Sequence, residues 1–133
     1  MTIDDPSARD EAFWDGVVAE LTARTRDGRL TWTTDARVQR SPSEAPTTPA
    51  YVTVFDRWRV AVYGHRWVYW YEEDQYELID ATAIELIDED GRPEWRLPET
   101  RSSSALLDAV GRQHSGADRF AELLLSSSDT AEP

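Results

Sequence analysis

The chain has 133 residues and a mass of 15.2 kDa, long enough for one domain with a real core. Its net charge of −12 excludes nucleic acid, where affinity comes from neutralising phosphates, and excludes an anionic membrane surface. No cysteine is present, so there is no disulfide framework and no thiolate metal site.

All 14 basic residues are arginine, and lysine and asparagine are absent. Such usage fits a GC-rich genome, and the acid excess gives a halophilic-like composition suited to a salt-rich cytoplasm. An acidic surface that only keeps the protein soluble explains the charge equally well. The amino terminus is acidic and lacks an apolar run, so neither a signal peptide nor a membrane span is expected. The expected location is cytoplasmic.

Residues 1–6 read as a frayed end. Ser7 is placed to cap a helix over about 8–27, with Asp10 and Glu11 near its positive end. Phe13, Trp14, Val17, Val18 and Leu21 recur at helical spacing, Arg24 and Arg26 suit the C-terminus, and Gly28 suits the position just past it. Residues 29–34 read as a short strand. Residues 35–49 are rich in Pro, Ser and Thr and read as a mobile surface loop.

Residues 50–72 hold half of the tryptophans and most of the tyrosines, in a run suited to a pleated, half-buried surface. Two turns punctuate the run in this reading: Asp56-Arg57, and Gly64-His65, where glycine can take the positive φ of a type II′ hairpin. Phe55 then faces Trp58 and Tyr51 faces Val62. Across the second hairpin Val62 faces Trp67 and Trp58 faces Tyr71.

Side chains alternate along a strand, so this register sorts them. Tyr51, Phe55, Trp58, Val60, Val62, Trp67, Tyr69 and Tyr71 form a core face. Val52, Val54, Arg59, Ala61, Tyr63, Arg66, Val68 and Trp70 form a mixed back face, together with Glu72. A slip of one residue would exchange the two.

Residues 76–88 alternate in period two and read as strand, although Ile79, Ala83, Leu86 and Ile87 also allow a helix over 80–87. Asp88-Glu-Asp-Gly91 is a hairpin loop into residues 93–97. Ser102–Ser104 offer caps for a helix bearing Leu106, Leu107 and Val110, and Ser115-Gly116 marks a break. A further segment bears Phe120, Leu123 and Leu124, and residues 127–133 read as a disordered tail.

The expected architecture is therefore α+β, with one domain over 7–126. An N-terminal helix precedes a sheet of about six antiparallel strands, and a C-terminal helix or helix pair packs on one face. A helix, then Thr25-Arg-Asp-Gly28-Arg-Leu30-Thr-Trp32, then a sheet with Ile87-Asp-Glu-Asp-Gly91, then Leu106-Leu-Asp-Ala-Val110, resembles small prokaryotic proteins of unknown function often found with mobile elements. That resemblance implies a fold and no chemistry.

Catalytic and cofactor motifs are not recognisable. His65 and His114 are the only histidines, and they lack the converging partners that zinc needs. Residues 72–74 and 88–90 are two acidic loops that would collect a hard cation only if adjacent. Ser102–Ser104 and Ser126–Ser128 lack the context of an activated nucleophile. No metal, cofactor or catalytic residue is assigned.

The back face carries the functional expectation; the alternative, of equal weight, is that the 35–49 loop or a terminal helix covers it and leaves it structural. Arg59 opposite Trp70, among small apolar groups, has the composition of an interface hot spot. The reading is a small acidic interaction module or accessory subunit whose partner is a protein or a second copy, docking through this face or a sheet edge. One alternative is a secretion-type chaperone for an effector segment, by similarity of size, charge and helices around a sheet. Another is a ligand- or metal-binding domain or enzyme using the acidic loops.

Overall fold

A computed structural model describes residues 6–130, with side chains from Asp10 to Ser127. The ends expected as frayed and as a tail lie partly outside these residues. Within them, helix α1 spans Pro6–Arg26 and the last helix reaches Thr130. Ser7 therefore lies inside the first turn of α1 and is not its cap.

Helix α1 ends as its sequence suggests. The Leu30 amide donates to the Arg24 carbonyl (3.0 Å), and Gly28 has φ +80. Residues 29–32 do not form the expected strand, and only Thr33–Thr34 pair, as β1. Their backbone groups go elsewhere. The Gln113 side chain accepts from the Trp32 amide (3.0 Å) and donates to the carbonyls of Thr25 (3.0 Å) and Leu30 (2.7 Å). One long-range amide thus replaces a strand partner and leaves Leu30 and Trp32 buried.

Segment 35–49, expected as a structureless loop, carries β2 at Ala45–Pro46, which pairs with His65 and Arg66. Further backbone bonds anchor it, from Gln39 to Gly91 (2.8 Å) and from Thr47 to Gly64 (3.0 Å).

Strand β3 (Tyr51–Phe55) and the start of β4 (Trp58–Glu72) form the first hairpin in the expected register, Phe55 against Trp58 and Tyr51 against Val62. Asp56 takes positive φ (57°) in its two-residue turn. The second expected turn is absent. β4 runs through Gly64 and His65 without reversing and pairs along its length with β5 (Gln75–Ile87). Val62 faces Ile84, not Trp67, and Trp70 faces Tyr76.

Gly64 answers a different need from the one expected. A Cβ there would sit 2.5 Å from Thr47 Oγ1 and 3.2 Å from a Leu107 methyl, so the position serves close approach by the β2 segment and a helix. The reversal occurs instead at Glu73-Asp74, in the acidic run. Strand β6 (Pro93–Arg96) follows the Asp88–Gly91 turn, and the order is β1-β3-β4-β5-β6, with β2 on β4 beyond the end of β3. Residues 80–87 are strand.

The sheet buries both faces at its centre. On one, Val60, Val62, Ile84 and Tyr51 meet Val18 of α1 and Leu106 and Val110 of α2 (Ser103–Ser115). On the other, Val52, Ala61, Tyr63, Ala83 and Ile87 meet Val38 and Ala50, so the 35–49 segment does the work of a covering layer. Helix α3 (Ala117–Thr130) follows the break at Gly116.

Gly91 tests how that segment is anchored. Its φ is +85, and a Cβ would collide with the Arg37 carbonyl. Gly91→Ala should cost about 2–4 kcal/mol by adding overpacking to left-handed strain. Gly28→Ala has the same sign of φ but open space around it, and should cost only ~1–2 kcal/mol. Equal losses in denaturant unfolding would contradict this packing.

Candidate functional site

Because β4 does not turn at residue 64, about half of the aromatic run lies beyond the part of the sheet that the helices cover. Residues 67–78 form a two-stranded ribbon. Trp67, Val68, Tyr69, Trp70, Tyr71, Tyr76 and Leu78 are all exposed there, Trp70 at 58 %. The helix side carries Val68 opposite Leu78 and Trp70 opposite Tyr76, whose rings lie 5.0 Å apart. The reverse side carries Trp67, Tyr69 and Tyr71, tilted or edge-on at 6.1 and 6.2 Å. Among the described residues no strand pairs with the outer edges of 67–72 or 75–81. Two edges and two apolar faces are open together, on an element that has marginal stability in water by itself.

The expected back face is therefore corrected. The missing turn exchanges the faces beyond residue 64. Val52, Val54, Arg59, Ala61 and Tyr63 lie on one side, and Arg66, Val68 and Trp70 on the other. Val52, Ala61 and Tyr63 are buried, which removes them from any docking surface. Arg59 lies between Val54 and Ile87 and is not opposite Trp70. Val54, Arg66, Val68 and Trp70 remain exposed. Of the expected core face, Trp67, Tyr69 and Tyr71 point into solvent with Phe55 and Trp58.

Two further apolar features accompany the ribbon. Helix α3 exposes Phe120 (66 %), Leu123 and Leu124 along one stripe, with Leu125 on its flank. None of its residues from Ala117 to Ser127 is buried. A groove of about 470 Å³ runs between α1 and the β3 end, lined by Phe13, Gly16, Val17, Leu21 and Phe55. The Arg24 guanidinium lies 5.1 Å from the Phe55 ring.

At the base of the ribbon lies a polar cluster that the sequence did not reveal. Arg96 donates from Nε to Glu85 (3.0 Å), from its terminal nitrogens to Glu44 (3.1 and 3.3 Å), and to the Tyr63 hydroxyl (3.0 Å). Tyr63 in turn donates to Glu85 (3.2 Å). The Arg40 guanidinium stacks 4.6 Å from the Tyr63 ring. His65, expected in an exposed turn, is buried with Nδ1 3.5 Å from Glu44.

A cleft of about 590 Å³ opens beside this cluster, bounded by Glu44, His65, Trp67, Thr82, Arg96 and Glu99. The hydrogen bonds from Arg96 hold the Glu44 carboxyl below its ordinary range against the cost of partial burial, with smaller help from the guanidinium charge. A carboxylate held ionised in this way is poorly suited to general acid or base work near neutral pH. With four of its five N–H donors engaged, Arg96 acts as a clamp between the segment leading into β2 and strands β4, β5 and β6.

The two acidic loops do not meet. They sit at opposite ends of β5, a strand of 13 residues, which separates them by about 40 Å. No group of three or more His, Asp or Glu among the described residues is placed to hold a metal ion. His114 lies near the end of α2, 5.4 Å from the Tyr51 ring. Among the described residues no helix is long and apolar enough to cross a membrane.

No protein-family model, no curated protein and no solved structure matches this chain.

The clamp makes two measurable demands. Glu85 is 4 % exposed while Arg96 is 39 % exposed. Arg96→Met should therefore cost about 2–3 kcal/mol, below the 3–5 of a fully buried pair because solvent reaches the guanidinium. A loss under ~0.5 kcal/mol would mean the cluster is not desolvated. Burial, reinforced by the Glu85 charge, pushes the Tyr63 phenol up to about 12. The folded state thus favours the neutral phenol. Its contribution is complete below the ordinary value of ~10 and fades as pH rises toward the folded one. Ultraviolet titration should show one late-ionising tyrosine that Tyr63→Phe removes.

Proposed function

We propose that the protein is a small acidic interaction module that self-associates as a homodimer through its aromatic ribbon. One observation carries the reading. Seven large apolar side chains stand exposed on a two-stranded element with open edges, whereas exposed apolar patches of that extent on monomers are uncommon and usually serve binding. The composition fits as well, since Trp and Tyr are the residues that dominate binding energy at interfaces.

Nothing at the clamp favours catalysis over support. Four of the five N–H donors of its arginine are engaged, and one of its carboxylates is held ionised. By anchoring β2 and β6 to β4 and β5, it stiffens the root from which the ribbon projects. Rigid presentation of aromatic anchors lowers the ordering cost of binding.

Light scattering coupled to size-exclusion chromatography should give twice the 15.2 kDa chain mass at micromolar concentration. The double variant Trp70→Thr, Leu78→Thr should keep the far-ultraviolet circular dichroism of the fold. It should weaken association by at least about 30-fold, the loss of a tryptophan hot spot. A strictly monomeric parent at high concentration would overturn the reading.

A further inference from the structure

The helix side of the ribbon lacks a layer that the rest of that face has. Helices α1 and α2 cover Val60 and Val62, and Leu107 of α2 reaches the backbone at Gly64. Beyond that glycine the same face continues as Arg66, Val68 and Trp70, paired with Asp80, Leu78 and Tyr76, and it is bare. The chain also carries one helix, α3, with an apolar stripe and nothing buried beneath it. We propose that α3 of a second copy lies across the Val68/Trp70/Tyr76/Leu78 face, while α3 of the first lies across the same face of the second.

Dimensions favour this pairing. Two strands about 4.8 Å apart present a face roughly as wide as one helix, ~10 Å across. Along the strand, Val68 to Trp70 spans about 7 Å, and along α3, Phe120 to Leu124 spans about 6 Å. Area favours it as well. The four ribbon residues and Phe120, Leu123, Leu124 and Leu125 are each 45–69 % exposed, which leaves about 100 Å² of side chain on each. Their burial removes roughly 800 Å² per copy, the amount a stable interface of standard size takes from each partner. Each chain offers one donor helix and one acceptor face, so a twofold arrangement closes and leaves neither uncovered.

Charge sets the direction. The ribbon tip is Glu72-Glu73-Asp74, whereas at its root Arg66 and Asp80 pair (2.6 Å) and offset each other. Helix α3 has its positive dipole end and Arg119 at one end, where the neighbouring Asp118 is engaged by Arg112 (3.0 Å), and its negative dipole end at the other. The favourable polarity places Arg119 and the positive dipole end toward the partner's acidic tip and the C-terminal turn toward the neutralised root. This arrangement rests on self-association through the ribbon and specifies what occupies it.

The absence of cysteine from the chain allows a clean test. Leu124→Cys and Leu78→Cys are made as separate proteins, checked by circular dichroism, then mixed and oxidised. The expected result is a covalent dimer in the mixture at several times the yield of either protein alone. A dominant bridge in Leu124→Cys alone would mean that α3 pairs with α3. One in Leu78→Cys alone would mean that ribbon pairs with ribbon. A bridge between Leu124→Cys and Val17→Cys would seat α3 in the α1 groove. Each of these overturns the arrangement. A dimer by light scattering with no mixed bridge sinks this arrangement alone, whereas a monomer sinks self-association itself. Arg119→Glu should weaken the dimer about tenfold at low salt, with the effect shrinking as salt rises; no change would overturn the proposed polarity.

Discussion

One strand that does not turn determines the rest of this molecule. β4 carries 15 residues straight through Gly64, where a reversal would have folded the aromatic run back on itself. Tight packing holds it straight, because Thr47, Thr48 and Leu107 occupy the space a side chain at residue 64 would need. The Gly64 amide also donates to Thr48 Oγ1 (2.8 Å) and its carbonyl accepts from Thr47 (3.0 Å). These bonds tie the strand to the covering segment at the point where a hairpin would have had to leave it. The consequence is a sheet longer than its helix layer.

The covered part and the bare part rest on different physics. At the centre, a thin second core of Val38, Ala50, Val52, Ala61, Tyr63, Ala83 and Ile87 backs the main one, and the Arg96 clamp closes its edge. Among the described residues five other arginines pair at the surface, Arg24 with Glu20, Arg29 with Asp27, Arg37 with Asp35, Arg66 with Asp80, and Arg112 with Asp118. Such pairs contribute little, because water and salt screen them. Arg96 differs because Glu85 is almost fully removed from water, so an uncompensated charge there is costly. The ribbon has neither a core nor a clamp. Its aromatics touch one another and solvent.

Local rules made much of the fold legible. Helical spacing gave α1, the Asp56-Arg57 pair gave the first hairpin and its register, the Asp88–Gly91 turn gave β6, and Gly116 marked the break between α2 and α3. What failed was non-local. Glycine at residue 64 has two meanings, a turn or a close approach, and only the position of residues 47 and 107 decides between them. Reading it as a turn reversed the faces of everything from Arg66 to Trp70, and so joined buried Tyr63 and exposed Trp70 into one patch. The clamp was illegible for a similar reason. Glu44, Glu85 and Arg96 lie far apart in the chain, in segments whose local patterns mark no ion pair, and the pairing of β2 with β4 and of β5 with β6 brings them together. The aromatic excess itself was a sound signal of an exposed surface, although its location was misassigned.

The path of β4 is best tested by nuclear Overhauser contacts in solution, since the two possible pairings predict different neighbours. A continuous strand places Val62 beside Ile84 and Val68 beside Leu78, and those cross-strand contacts are the expected result. Contacts from Val62 to Trp67 would instead place a hairpin at residue 64, return the aromatics to the body of the sheet, and leave no ribbon to serve as an interface.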